Sequence, residues 1–374
     1  MQFEFTEEQS MISSMLEEFS QTQGTSERVR QAMESELGYL PEVWQSMAGE
    51  LGLCGLLVPE DAGGQGLTMI EMALVFEQLG KTLLPSPMLA TAVQSVALLN
   101  ALGDQQTDLL KRIARGEVRT TVAVCQNGRA EYVLDVCSAD VLLLVDSDQL
   151  FLVHADQPGV FSGLDITPVH IMDQTRRMGQ VVVEDKALIS TGKIAEGDEV
   201  LKAVDAGLDM ARIALGAEAV GAAQTCLART VEYASERVQF GRAIGSFQAV
   251  KHQCADMMVA IEAAISAVFF AACAVSEDLA QSRSMAALAK VHASEALSFC
   301  SARMIQLHGG IGFTWEHDAH LYFKRARSTA TMLGLNFDLD EVIAADIGNN
   351  TITEAKLTTS VAGSGLSGGN GTAL

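Results

Sequence analysis

The sequence predicts a mainly α-helical protein with a small central β domain. Helical periodicity of apolar residues fills the first 118 positions and returns after position 197. Between these regions lie short runs rich in valine and leucine, such as "TTVAV", "DVLLLV" and "GQVVVED", which are typical of strands. We therefore expect an all-α domain over residues 1–118, a short β domain over residues 119–197 and a helical domain over residues 198–348.

Composition limits the classes of function. The chain of 374 residues carries a formal net charge of -22, which argues against a nucleic-acid partner because such binding needs a basic surface. No uncharged apolar run reaches the length of a membrane span, and the first residues do not read as a secretory signal. Seven scattered cysteines without a CxxC pair favour reduced thiols, so we expect a cytoplasmic protein.

The elements of the first domain are predicted from helix start and stop signals. Thr6 and Gln9 have the spacing of a capping box, and a second helix is expected after Pro41. The glycine-rich loop "VPEDAGGQGLT" comes next, and a helix then begins at Met69 with Gly80 as its stop signal. Further helices are expected up to the end of the domain.

Four helical segments are predicted in the C-terminal domain from alanine content, apolar periodicity and glycine stops. They cover residues 200–237, 246–277, 284–308 and 318–347, the last with an irregular middle. Residues 349–374 are rich in glycine and serine, so they are predicted to form a flexible tail.

Two motifs have a plain structural interpretation. The tail holds Gly363, Gly365 and Gly368 in a G-x-G-x-x-G arrangement, but a dinucleotide site needs a preceding strand and a following helix, and neither is predicted. His317 and His320 lie three residues apart beside acidic residues, without a third ligand nearby in the sequence. We therefore predict neither a Rossmann site nor a metal site.

A basic corner stands out in this acidic chain. The stretch "YASERVQFGRAIGSFQAVKH" places Arg237 at the expected end of a helix, Phe240 one turn further and Ser246 at the expected start of the next helix. A guanidinium suits phosphate oxygens, an aromatic ring can cover a ligand ring, and a helix start offers free backbone donors. The spacing alone leaves a second interpretation open, in which Arg237 caps helix carbonyls or pairs with Glu232 or Glu236.

A second corner lies in "QLHGGIGFTWE". Gln306 is on the last turn of a predicted helix that stops at Gly309 and Gly310. Adjacent glycines let a ligand approach the backbone closely, and a glutamine amide can bind a ribose or an amide group. Taken alone, this pattern is a glycine C-cap.

Together, the two corners resemble the signatures of the acyl-CoA dehydrogenase family. The segments "YASERVQFGRAIGSFQAVKHQCADM" and "IQLHGGIGFTWEHDAHLYFKRAR" match its central and C-terminal motifs, while "GLLVPEDAGGQGL" and "GLDMARIALGAEAVGAA" are similar to further segments of its N- and C-terminal domains. The resemblance covers residues 1–348. It implies the acyl-CoA dehydrogenase fold, with an N-terminal helical domain, a β domain and a C-terminal four-helix bundle.

The resemblance implies a flavoprotein that holds FAD between subunits. The family arginine that matches Arg237 meets the FAD pyrophosphate, and Arg212 in "LDMAR" matches an arginine near the acyl-CoA site. The adenosine half of FAD is expected at Phe240, Gln248, Gln306, Gly309 and Gly310. The implied partners are an acyl-CoA substrate, an electron-transfer acceptor and further subunits, as a homo-oligomer such as a tetramer or as a heteromer.

The match fails where the family carries its catalytic base. In most members the glutamate that takes the α proton of the thioester aligns with Leu333, and in another branch it aligns with Ala211. The "TEPxAGSD"-like loop and "WITN"-like strand that surround the family's flavin ring are also missing. These departures resemble one subunit of the heteromeric acyl-CoA dehydrogenases that act on steroid side-chain thioesters, in which a partner chain supplies the glutamate.

Two alternatives remain open, and the catalytic residue and the acyl chain are not predicted. One alternative is a homomeric enzyme with a relocated base, for which Asp209 and Glu218 lie on the relevant helix. Asp209 could equally serve the helix start, and Glu218 is expected to make structural hydrogen bonds. The other alternative is a scaffold subunit without flavin, against which the presence of Arg237, Gln248 and Gln306 argues.

Overall fold

A computed structural model describes residues 5–103 and 106–348 of the chain. Helices come first, strands follow and helices return, so the mainly helical class with a small β domain is confirmed. The predicted tail and its glycine motif lie outside the described residues.

Six α-helices lie among the described residues of the first region. They are α1 (Glu7–Gln23), α2 (Ser26–Glu34), α3 (Pro41–Gln45), α4 (Met69–Thr82), α5 (Val96–Ala101) and α6 (Thr107–Ala114), with π-helical turns Ser46–Glu50 after α3 and Leu89–Ser95 before α5. The capping box of α1 is confirmed, because the Gln9 N–H donates to Thr6 Oγ1 at 3.1 Å and the Thr6 N–H donates to Gln9 Oε1 at 3.0 Å. Helix α2 is missed by the sequence prediction because it is short and mostly polar, and only Val29 and Ala32 are buried on it.

Seven strands form two sheets in the central region. They are β1 (Thr120–Cys125), β2 (Arg129–Leu134), β3 (Val141–Asp146), β4 (Gln149–His154), β5 (Leu164–Val169), β6 (Met178–Val183) and β7 (Lys193–Glu196), with α7 (Lys186–Ser190) before β7. One sheet has the order β1-β3-β4-β7 and the other β2-β6-β5, and the only parallel pair among them is β1 with β3. Leu142 and Phe151 from the first sheet share a core with Val181 from the second, so the sheets pack face to face.

Five long helices and a short hairpin form the C-terminal region. They are α8 (Asp198–Glu236), β8 (Val238–Gln239), β9 (Arg242–Ala243), α9 (Gln248–Ser276), α10 (Ser282–His308), α11 (Ala319–Thr331) and α12 (Asn336–Gly348). The irregular middle predicted in the last segment is the break between α11 and α12, where Leu333 and Gly334 have φ values of 56° and 108°. The predicted helix ends agree with the structure to within two residues, because Arg237 is the C-cap of α8 and α9 begins at Gln248, two residues after Ser246. The β8–β9 hairpin and a 3₁₀ turn that ends at Ser246 separate the two helices.

A close crossing of α4 and α8 joins the first and last regions. A Cβ atom on Gly80 would lie 2.0 Å from the Glu218 carbonyl oxygen, and one on Gly221 would lie 1.8 Å from the Glu77 carbonyl oxygen. The predicted helix stop at Gly80 is therefore wrong. This glycine is inside α4, and its missing side chain lets the two backbones touch.

Helix α9 is unusually apolar. Among the helices in the described ranges, it is the one that could cross a membrane by length and composition alone. In this fold it packs along α8 and α10, with Met257, Ile261, Ala264 and Val268 buried. Only a third of the residues in its most apolar 18-residue stretch are buried within this chain.

Candidate functional site

The basic corner is built as a tight β-hairpin. Val238 pairs with Ala243 and Gln239 with Arg242, so Phe240 and Gly241 form the two-residue loop. Both loop residues have positive φ, 54° and 78°, the backbone that such hairpins require. A left-handed conformation costs an aromatic residue roughly 1–2 kcal/mol, yet the Phe240 side chain is 91% exposed. Strain combined with exposure points to a binding role for this ring.

Arg237 lies directly beside this hairpin. It follows the last residue of α8, its N–H donates to the Tyr233 carbonyl at 2.9 Å, and its carbonyl accepts from the Ile244 N–H at 2.8 Å. Its side chain is exposed, and within the described ranges it forms no ion pair with Glu232, Glu236 or another carboxylate. The corner therefore presents a free guanidinium, which favours the anion-binding interpretation over the helix-capping one.

The second corner lies against the first. The Tyr233 ring of α8 stacks on the His308 ring of α10 with centroids 4.4 Å apart, which brings together the ends of the two helices. Gly309 ends α10 with a φ of 64°, and a Cβ atom on Gly309 or on Gly310 would meet nothing within 4 Å. The exposed Gln306 side chain lies one turn before this open backbone.

These residues fit an anionic dinucleotide such as FAD. An unpaired guanidinium suits a pyrophosphate, and an open stretch of glycine backbone admits close contact with a ribose or a base. Gln248 begins α9, which follows the hairpin, and its side chain is exposed. The residues predicted from the sequence are all exposed at or near helix ends, namely Arg237, Phe240, Gln248, Gln306, Gly309 and Gly310.

A separate cavity of about 770 Å³ lies between the β region and the α11–α12 break. Strands β1 and β2 form one wall, and Thr331, Met332 and Leu333 form part of the other. Strand β2 shifts register between Ala130 and Val133, and Tyr132 within this shift has a φ of 55° and lines the cavity. The lining is mostly apolar, and Leu333 stands where the resemblance expects a carboxylate.

The two carboxylates that line this cavity, Glu131 and Asp173, both form ion pairs with arginines. Glu131 pairs with Arg129 at 3.1 Å and is half exposed. Asp173 is 1% exposed and lies 2.9 Å from Arg325 Nε and 3.5 Å from Arg176 Nε. A general base must be free to accept a proton from substrate, whereas Asp173 is held between two guanidinium groups.

A buried charge cluster stands behind that wall. Glu218 on α8 accepts a hydrogen bond from Arg325 Nη1 at 2.5 Å and also binds Arg176. This confirms the prediction that Glu218 makes structural hydrogen bonds. Arg325 further donates to the carbonyl of Thr175 at 3.2 Å. Nearby, burial raises the pKa of Asp135 to about 7, against the opposing fields of the neighbouring arginines. This cluster links α8, α11 and the segment before β6.

Arg212 and Asp209 form an ion pair beside the α11–α12 break. Arg212 Nη1 pairs with Asp209 Oδ1 at 2.7 Å, and Arg212 Nε donates to the Leu333 carbonyl at 2.9 Å. Burial raises the pKa of Asp209 to about 6, although Arg212 opposes this. Neither side chain is among the residues that line the cavity, and Ala211 is fully buried in the core.

The sequence analysis missed the buried ionic residues Asp173, Arg176, Lys290 and Arg325. Arg176 and Arg325 bind Glu218 across 42 and 107 residues of chain, so spacing gave no signal for them. Lys290 did leave a signal, because it lies at helical spacing from buried Ala286 and Ser294 on the packed face of α10.

Comparisons with known proteins agree with this architecture. Residues 6–117 match the family model "Acyl-CoA dehydrogenase, N-terminal domain", and residues 201–347 match "Acyl-CoA dehydrogenase, C-terminal domain". The chain is 38% identical over 331 residues to acyl-CoA dehydrogenase IpdE2 of Mycolicibacterium smegmatis, covering 88% of this chain and 95% of the relative. It is 40% identical over 306 residues to IpdE2 of Mycobacterium tuberculosis, covering 82% and 86%.

Solved structures share the fold. The Tcur3481-Tcur3483 steroid ACAD G363A variant superposes with a TM-score of 0.81 at 28% identity, covering 93% of this chain and 99% of that one. The ChsE4-ChsE5 complex from Mycobacterium tuberculosis has a TM-score of 0.80 at 24% identity, covering 93% and 99%, and supports the fold alone. PigA, a further structure with this fold, was solved with FAD and proline, with a TM-score of 0.81 at 20% identity, covering 94% and 100%.

Proposed function

We propose that the chain, which belongs to the acyl-CoA dehydrogenase family, is one subunit of a heteromeric acyl-CoA dehydrogenase. Members of this family are FAD-dependent oxidoreductases that act on CH–CH bonds. In this assembly a second, unlike chain supplies the catalytic carboxylate. The single observation that carries the proposal is the cavity wall, where Leu333 replaces that carboxylate and both lining carboxylates are already paired.

The exposed corner is this chain's contribution to the shared flavin site. Arg237 would hold the pyrophosphate of an FAD bound mainly by the neighbouring subunit, and Phe240 and Gln248 would contact its adenosine half. Gln306 and the backbone of Gly309 and Gly310 would complete that contact. When bound, FAD supplies the oxidant that receives the hydride in the α,β-dehydrogenation of the thioester.

The relatives suggest the substrate class and the electron acceptor. A structure at 28% identity is described as a steroid ACAD, which supports a CoA thioester of a steroid or similar polycyclic acid as substrate. A structure at 25% identity comes from work on an electron-transferring flavoprotein of Acidaminococcus fermentans, which supports a protein acceptor of that kind. We place the enzyme in the cytoplasm.

The homomeric alternative requires a base within this chain, and the structure gives it little support. Asp209 is the best candidate, because burial raises its pKa to about 6 and a general base works best with a pKa near the working pH. However, Asp209 pairs with Arg212 at 2.7 Å and does not line the cavity. Glu218 is bound by two arginines.

The test is to purify the chain alone and with candidate partner dehydrogenases encoded beside it. Flavin absorbance and acyl-CoA oxidation with an artificial acceptor are measured for each preparation. We expect the lone chain to hold little FAD and to lack appreciable turnover, because absence of a positioned base typically costs about 10²–10⁴-fold in rate. Ordinary turnover by the well-folded lone chain would disprove the heteromer, and Asp209→Asn would then test the relocated base.

A further inference from the structure

Lys290 is a cation inside the helical bundle. It lies in the middle of α10, and the whole residue is 0% exposed. Each of its three ammonium protons has an acceptor: the Ala330 carbonyl at 2.9 Å, the Gly334 carbonyl at 2.7 Å and Asn336 Oδ1 at 2.8 Å. A lysine is seldom fully buried, and here no donor is left without a partner.

All three acceptors belong to one short segment, residues 330–336, which we call the α11–α12 turn. Arg212 adds a fourth bond to this turn, from its Nε to the Leu333 carbonyl at 2.9 Å. Asn336 is itself fixed, because its Nδ2 donates to Ser294 Oγ at 3.1 Å. Two cations from α8 and α10 therefore hold the backbone of the turn from inside the bundle.

The outer side of the same turn faces the large cavity. Thr331, Met332, Leu333 and Leu335 line it, whereas Lys290 does not. Leu333 also has a left-handed φ of 56°, which costs a leucine roughly 1–2 kcal/mol and persists only where the surroundings impose it. Lys290 binds the carbonyls of Ala330 and Gly334, which flank this residue, and Arg212 binds the carbonyl of Leu333 itself. These bonds impose the conformation.

We propose that Lys290 is a positioning residue, which fixes the α11–α12 turn from behind and thereby sets the shape of the cavity wall. Arg212 assists it from α8. The cavity wall is thus held by buried cations of this chain and does not depend on a ligand to order it.

The charge of Lys290 gives this arrangement a pH signature. Burial, and to a lesser extent the nearby charge of Arg212, lower its pKa to about 8. Apart from Arg212, the groups that face it from α11, the turn and α10 are neutral, namely two carbonyls, Asn336 and Ser294. Within the described residues no carboxylate of α8, α9, α11 or α12 forms an ion pair with it.

The first experiment measures hydrogen exchange of the full chain at pH 7, in peptides that cover residues 328–340. Lys290→Met keeps a side chain of similar length without donors, and we expect the turn to exchange at least about tenfold faster. The matched control is Lys202→Met, which removes an exposed lysine of α8 and should leave exchange unchanged. Wild-type exchange of the turn in Lys290→Met would overturn the proposal.

The second experiment uses Asn336→Asp, which places a carboxylate beside the ammonium. A folded-state pKa of about 8 against about 10.4 in the unfolded chain means that the unfolded state binds an additional proton between these values, so this group makes stability rise with pH there. A close opposite charge raises a lysine pKa by roughly 1–3 units, so Asn336→Asp should abolish most of that rise.

Urea denaturation at pH 7 and pH 9.5 measures the rise in the free energy of unfolding between these pH values. Cysteines and tyrosines also titrate in this range, but their contributions cancel when the rise in the variant is subtracted from the rise in the wild type. If the free energy of unfolding of Asn336→Asp rises with pH as much as that of the wild type, the proposed role of Lys290 is wrong. If Lys290→Met fails to fold, this comparison decides alone. Both experiments use the chain without flavin or partner, so their outcome is independent of the heteromer proposed above.

Discussion

The exposed corner and the buried charge cluster use the same residue type in opposite ways. Arg237 follows the end of α8 with its guanidinium in solvent and no carboxylate partner in the described ranges. Arg325 is 2% exposed and is bound by Glu218, Asp173 and Thr175. A buried cation must be compensated within the fold, whereas an exposed and unpaired one can bind a ligand anion without first breaking an internal bond. The difference teaches that pairing, more than residue type, separates structural arginines from binding arginines here.

The largest effect should come from removing the charge of Glu218. Glu218→Gln leaves Arg325 and Arg176 without their shared carboxylate, and breaking a buried pair typically costs about 3–5 kcal/mol. Urea denaturation at pH 7 measures the free energy of unfolding. Glu232→Gln, an exposed change on the same helix, should cost almost nothing. A loss below about 1 kcal/mol in Glu218→Gln would remove the contrast between the two regions.

The next effect concerns binding and not folding. Arg237→Ala should leave the melting temperature unchanged but weaken FAD binding in the assembled heteromer by about 1.5–3 kcal/mol, or roughly ten- to hundredfold, through loss of charge-assisted hydrogen bonds. Flavin content after gel filtration and a fluorescence titration with FAD measure it. Arg112→Ala removes another exposed arginine, on α6, and should retain flavin. Full flavin content in Arg237→Ala would refute the site.

The smallest effect is a gain of stability. The folded-state pKa of Asp135, about 7, lies above the unfolded value of about 3.9, so the folded state binds an additional proton between these pH values and stability falls as pH rises through that window. Asp135→Asn removes this dependence and should raise stability at pH 8, with little change near pH 4. Asparagine also tolerates the φ of 53° at this position.

Denaturation curves at several pH values check this prediction. The control is Asp165→Asn, which changes an exposed carboxylate of β5. If Asp135→Asn is no more stable than wild type at pH 8, then the surrounding arginines compensate the Asp135 charge fully, and the cluster is less strained than its burial indicates.

Local signals in the sequence were sufficient for some of these features. The capping box depends on side chains three residues apart, and the order of helices and strands depends on periodicity within each segment. The hairpin at Phe240 was missed because no common turn dipeptide marks it: its first loop residue is an aromatic with positive φ. Gly80 was misread because a helix stop and a close helix crossing require the same residue, and only the position of α8 distinguishes them.

In the candidate site, too, local sequence signals predict one part, the exposed corner, but not the other, the cavity wall. Residues of the corner are close in sequence within two motifs, so the resemblance could indicate all of them together. The cavity wall joins β2 with a turn about 200 residues later, since Glu131 and Leu333 both line the cavity. Its supporting bonds from Lys290 reach 40 to 46 residues along the chain. Such long-range contacts follow from tertiary packing, which a single sequence does not encode in any local pattern.

Glu218 has a consequence for how the protein unfolds. Its carbonyl meets Gly80 of the first region, while its carboxylate binds Arg176 beside the β region and Arg325 in the last. Three parts of the chain therefore meet at one residue, and the β region cannot detach without separating the charges of Arg176 and Glu218. A junction of this kind couples the parts into one cooperative unit, so the mainly helical regions and the small sheets should melt together.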